Sequence, residues 1–139
     1  MLEAELFALL ESTGDAAFSI TEDGEIVSWN AAAEALFGFK ASEVLHKNCY
    51  EVLDARGRLG SSICMRNCAV QRCALHAGPV PSFDMQARHR SGSTVWANVS
   101  TLSYKNPRNG RLIITHLARD ISARMQREAL ITEWVELSA

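Results

Sequence analysis

Leu2, Leu6, Leu9 and Leu10 of the opening stretch MLEAELFALLES recur at helical spacing, while Glu3, Glu5 and Glu11 take the other side; this predicts an amphipathic leading helix. The next run, AAFSITEDGEIVSWN, reads as two short strands joined at Asp23-Gly24, a dipeptide that tolerates the positive φ of a tight hairpin turn. Asn30 stands where an N-cap belongs, and the helical run AAAEALFG stops at Gly38, which can take the left-handed closing conformation. Ser42 is the expected cap of another short helical turn, EVL, and Ser61 or Ser62 that of a helix from about Ile63 to Ala77, closed by Gly78-Pro79. The period then changes. VPSFDMQARHR, STVWANVSTLSYK and RLIITHLARDI are β-rich runs separated by Ser91-Gly92 and NPRNG, so they predict a three-strand antiparallel meander. SARMQREALITEWVELSA, with Leu130, Trp134 and Leu137 at four- and three-residue spacing, predicts an exit helix. The expected division is a leading helix over 1–13, a core domain over 14–121 and the exit helix over 122–139.

A chain of 139 residues, 47% hydrophobic, fits one domain and buries enough surface to fold without covalent staples. No apolar run is long enough to span a membrane, and the acidic start lacks the pattern of a signal peptide, so a cytoplasmic address is expected. A net charge of −2 gives no general pull toward nucleic acid or membrane, although arginine dominates from Arg56 to Arg127. Paired carboxylates, a glycine-rich phosphate loop and a nucleophile motif are all missing, so an enzyme is not expected.

The four cysteines crowd into NCYEVLDARGRLGSSICMRNCAVQRC, residues 48–73. In a reducing compartment such thiols are free, redox-active or metal-bound more often than bridged. On an unbroken helix Cys68, Gln71 and Leu75 fall within about 40° of Cys64, whereas Cys73 falls about 180° away. A four-cysteine cage then needs a broken helix, and the spacing is not the C-x2-C knuckle such sites favour. Cys64 and Cys68 do not aim at each other on one helix, which leaves Cys49 with either of them as the better disulfide pair. The plain alternative is that cysteine, a small and often buried hydrophobe, fills space.

The element order, together with DAAFSITEDGEIVSWNAAAEALFGFKASEVLHKNCYEVL and HLARDISARMQREAL, resembles a PAS domain over nearly the whole chain. Within that family, CYEVL…C…C followed by GPVPSFDMQAR…G…VWANVS…HLARDI is most similar to the sensor half of bacterial LuxR-type transcription regulators, in which a helix-turn-helix domain follows. The resemblance implies an α+β fold: a five-stranded antiparallel sheet, helices over one face, and a cavity between them for a small ligand or cofactor. DNA would be reached only through an output domain that this chain does not contain. Asn48-Cys49 sits where the light-sensing LOV members carry the cysteine that bonds flavin, but the arginine and glutamine that follow there are Tyr50 and Leu53 here. Three polar positions that grip the flavin ring fall on Ala87, Ala97 and Ala118, which supply no hydrogen bond, so flavin is disfavoured.

Those three alanines point inward in the family, and strand side chains alternate. Phe83, Met85 and Ala87, then Val95, Ala97 and Val99, then Ile114, His116 and Ala118 are therefore expected to face the cavity. Gln86, Arg88, Trp96, Asn98 and Arg119 are expected to face away, with Trp96 packing on the leading helix or on a second subunit. With Cys49, Cys64 and Cys68 these nine residues make up the expected ligand site. Haem is disfavoured because SSICMRNC carries no histidine and His76 lies off the relevant face. A metal or iron–sulfur cluster on Cys49, Cys64 and Cys68, with His116 or His46 as fourth ligand, stays open by ligand type alone.

The reading that results is a sensory domain that binds a small, mainly apolar molecule and shifts the packing of its terminal helices. Leu2, Leu6, Leu9 and Trp96, with Leu130, Trp134 and Leu137, would join two copies into a homodimer. Two rival readings are a ligand-free dimerisation or protein-interaction module, and a metal, iron–sulfur or redox sensor built on Cys49, Cys64 and Cys68.

Overall fold

Residues rich in alternating apolar positions form five strands: β1 (Ala16–Thr21), β2 (Ile26–Trp29), β3 (Phe83–Arg88), β4 (Thr94–Lys105) and β5 (Leu112–Asp120). They pair into one antiparallel sheet in the order β2-β1-β5-β4-β3. The helices are α1 (Glu3–Glu11), α2 (Ala31–Phe37), α3 (Ala41–Val44), α4 (Cys49–Leu53), α5 (Ala69–Leu75) and α6 (Ser122–Ser138). This computed structural model describes residues 2–65, 68–75 and 79–138.

Register fixes which side chains share a face. Phe18 lies opposite His116, Ile20 opposite Ile114, Val99 opposite Ala118 and Met85 opposite Ala97, so these residues and the like-parity Ala87 and Val95 form the inner face beneath α2 to α5. The inward-facing parity predicted for all three meander strands holds: Ala87, Ala97, Val99, Ile114 and Ala118 are buried in the core. β1 is buried on both faces. On its outer side Ser19 and Thr115 satisfy each other through a 2.8 Å hydroxyl hydrogen bond. Phe7 and Leu10 of α1 lie beside Ala17 and Val27 there, and Glu3 holds Asn106 at 2.9 Å and Arg111 at 3.3 Å.

The hairpin and the first helix behave as their sequence implies. Gly24 takes φ 88° in the β1–β2 turn, and Gly38 takes φ 79° after α2. Asn30 caps α2 by accepting from the Ala33 N–H at 2.8 Å; its amide also accepts from Ala17 N–H and donates to the carbonyls of Leu10 and Asp15. One buried side chain thus ties α1, β1 and α2 together. Phe18, Trp29 and Phe37 pack beside it, with ring centroids 5.4 to 6.1 Å apart, and a fully buried ring of this kind stabilises by about 2–3 kcal/mol.

Two local expectations are corrected. Ser42 lies inside α3 and is not its cap; Lys40 occupies the cap position, and the first N–H groups are held by carboxylates, Lys40 N–H by Glu43 at 3.0 Å and Ala41 N–H by Glu34 at 2.7 Å. The helix predicted from Ile63 to Ala77 is shorter, because 61–65 is not helical: Ile63 and Cys64 both donate their N–H to the Ala55 carbonyl, and Ser62 bridges Arg56. Only Ala69–Leu75 is helical among the described residues of that span. His76, Ala77 and Gly78 lie outside the described residues.

Loop backbone meets both outer strands. Ile26 of β2 donates to Lys47 O and accepts from His46 N–H, while Gln86 of β3 and Arg56 exchange both N–H···O bonds at 2.7 and 2.8 Å.

Candidate functional site

The inner face divides. Beside α2 the rings of Phe18, Trp29 and Phe37 pack against one another, whereas beside β3, α4 and α5 the face opens into a cavity of about 480 Å³. Phe18, Ile20 and His116 form its sheet wall with Phe83 and Met85 of β3; Cys49 and Leu53 come from α4, and Ala69, Val70 and Cys73 from one face of α5. Irregular chain closes the rest through Ala55, Gly57, Ile63, Cys64, Met65 and Cys68 on one side and Val80, Pro81 and Ser82 on the other. The wall is overwhelmingly apolar.

Of the residues expected from sequence, Cys49, Cys64, Cys68, Phe83, Met85 and His116 meet at this cavity. Ala87, Val95, Ala97, Val99, Ile114 and Ala118 lie on the same inner face but not on the cavity surface: they belong to the buried hydrophobic core. Cys64 and Cys68 reach the cavity without sharing a helix face, since Cys64 precedes α5 and Cys68 stands at its entry, its carbonyl accepting from Arg72 N–H. Cys73, placed on the far side by an unbroken helix, lines the cavity as well, so all four thiols do. The sequence reading passed over Phe18 and Ile20, although A-F-S-I alternation in β1 carries the same parity signal as the later strands.

All four cysteines are free thiols. Burial pushes Cys49 up to about 12, reinforced by the repulsion its anion would meet from Cys64 and Cys68, and burial likewise pushes Cys64 up to about 11. Both stay protonated at neutral pH, which makes them poor nucleophiles and weak disulfide formers. Among the described residues no three His, Cys, Asp or Glu side chains are placed to hold a metal ion together. The donor set does not fit flavin either: Ala87, Ala97 and Ala118 offer no side-chain hydrogen bond, and Asn48 donates to Asp23 O at 2.9 Å.

His116 is the polar exception. Its ring stacks on Phe18 with centroids 4.6 Å apart and planes 13° from parallel. Burial lowers it to about 4, against a smaller opposing pull from the Ile114 backbone, so the imidazole is neutral at physiological pH. Among the described residues its Nδ1 has no hydrogen-bond partner.

A sheet of this order, helices over one face and a cavity between them match the PAS fold, whose sequence model covers residues 4–121. The chain belongs to the PAS family. PAS domains are generally sensory modules of signalling proteins. Among solved structures, the PAS domain of an HTR-like protein from Haloarcula marismortui is 25% identical with a TM-score of 0.61, covering 85% of this chain and 90% of that one. The PAS domain of nitrogen regulation protein NR(II) from Vibrio parahaemolyticus is 19% identical, TM-score 0.62, covering 84% and 97%. An RNA-binding light-oxygen-voltage receptor, 19% identical, TM-score 0.69, covers 99% of this chain, which spans 38% of that receptor. No curated protein matches.

The PAS domain's flanking helices sit outside the sheet. α6 packs beside β4, with Ile121 N–H donating to Trp96 O at 3.0 Å, and Trp96 itself is half-buried. Arg124 of α6 reaches Asp84 of β3 at 2.7 Å, and Glu128 holds Arg58 at 2.7 Å. Leu130, Trp134 and Leu137 are 64%, 68% and 78% exposed, and Leu2 and Leu9 are exposed too, with Leu6 half-buried. No described helix is long and apolar enough to cross a membrane.

Proposed function

We propose that this PAS domain binds a small, mainly apolar molecule in the thiol-lined cavity and reports its presence through α6, as the sensor half of a bacterial LuxR-type transcription regulator in the cytoplasm. The supporting observation is the cavity: about 480 Å³ between sheet and helices, walled mainly by apolar side chains with the ion-paired Asp84 among them, where a filled protein core leaves few gaps larger than one water. An occupant acts by binding one arrangement of wall and exit helix better than another. The route is short. Asp84 stands between Phe83 and Met85, both on the cavity, and its carboxylate bonds Arg124 of α6 and Asn98 of β4. Movement of β3 to admit a ligand pulls on the helix that leaves the domain.

The exposed stripe Leu130, Trp134 and Leu137, joined by Ile131 and Val135, is the surface on which two copies would pair, and DNA would be met only by an output domain in the full regulator. Protein purified from its native host, denatured and examined by mass spectrometry, should release a stoichiometric small apolar compound. If no compound is released and apolar libraries produce no thermal shift, the domain is an interaction module only.

A further inference from the structure

Among the described residues, the cavity's lining holds one side chain that is more than nine-tenths buried and carries a nitrogen, Nδ1, without a hydrogen-bond partner: His116. A buried polar atom left unpaired is destabilising, and folded proteins seldom keep one without a use for it. Among the described residues the only compensation is the weak pull of the Ile114 backbone: the stacked Phe18 ring fixes the imidazole plane but offers no acceptor, and the neighbouring wall residues Ile20, Met85 and Phe83 are apolar. The same wall also argues about charge. Among the described residues no lysine or arginine lines the cavity, and Asp84, the acidic residue on its wall, already has Arg124 at 2.7 Å. An anionic ligand would be desolvated with no described cation to meet it, and a cationic one would meet a neutral imidazole and the protonated Cys49 and Cys64 thiols.

Building on the ligand-binding reading above, we propose that the occupant is an uncharged, largely hydrocarbon molecule bearing one hydroxyl-like group, and that His116 is the residue that selects it by hydrogen bonding to that group. A hydroxyl both donates and accepts, so it suits either imidazole tautomer. The imidazole remains neutral across the physiological range, which keeps the preference independent of ordinary pH changes.

Three probes with one two-ring skeleton test this in the full chain: naphthalene, 2-naphthol and 2-naphthoate, titrated by calorimetry at neutral pH. The expected result is 2-naphthol bound about tenfold more tightly than naphthalene, with 2-naphthoate the weakest of the three. In His116→Phe the naphthol preference should shrink to within about twofold while naphthalene binding persists. As a readout that needs no variant, ¹⁵N spectra of the wild-type protein should show the His116 ring nitrogens shifting with 2-naphthol and not with naphthalene. Naphthalene binding as well as 2-naphthol, or a naphthol preference surviving in His116→Phe, overturns the assignment to His116 and leaves the cavity reading standing. Tight binding of 2-naphthoate overturns the charge argument. If none of the three binds, the cavity reading falls and this proposal with it.

Discussion

The two halves of the core are built on different plans. Around Phe18, Trp29 and Phe37, close-packed rings, the fourfold-bonded Asn30 and two positive-φ glycines agree with one another, and local sequence specifies each. Around Cys49, Cys64, Cys68 and Cys73 the chain is mostly irregular, α5 is two turns long, and small soft side chains surround open space. The first half holds the fold; the second half is free to hold something else. Stability and responsiveness are separated within a single sheet.

Substitutions should feel that contrast. Phe37→Ala, in the packed half, should cost about 3–5 kcal/mol in denaturant unfolding, and a loss under about 1 kcal/mol would erase the distinction. Acid comes next: His116 falls from an unfolded value near 6.5 to about 4 when folded. The unfolded chain therefore takes up a proton that the folded chain refuses. Stability is full above pH 6.5 and falls as pH drops from there toward 4, by an amount on the order of 3 kcal/mol; stability curves of wild type and His116→Phe should diverge over that window. Arg124→Ala leaves the Asp84 carboxylate, its side chain 14% exposed, with a weaker partner in Arg58 at 3.7 Å. It should cost about 1–2 kcal/mol and speed amide exchange in α6 while leaving α2 unchanged. Cys73→Ala, on the open wall, should shift stability by less than about 1 kcal/mol, because the lost sulfur borders space rather than neighbours. Trp134→Ala with Leu137→Ala should leave the fold intact and sediment as a monomer, against a dimer expected for the unaltered chain under the proposed pairing through α6.

What could be foreseen follows the same divide. Asn30, Gly24, Gly38 and the parity of β3, β4 and β5 were legible because each depends on its immediate neighbours or on strict alternation. The missed features are tertiary. The helix expected from Ile63 fails because Ala55, eight residues earlier, captures the N–H groups of Ile63 and Cys64, and no window of local sequence contains that pairing. The same capture turns Cys64 toward the cavity, and the short α5 brings Cys73 there too. The face of the sheet was thus predictable from alternation, but where along that face the packing stops was set by the strap of chain from 55 to 82.

That strap and its counterpart at the other margin do one more thing. An outermost strand normally presents a row of free amide and carbonyl groups to which a strand of another molecule can add, the first step of β-aggregation. Here Arg56 occupies the middle of β3 and residues 46–47 occupy Ile26 of β2, so neither rim of the sheet offers an uninterrupted template. Variants that free either rim, even if they fold, should be recognised by their turbidity before their melting temperature.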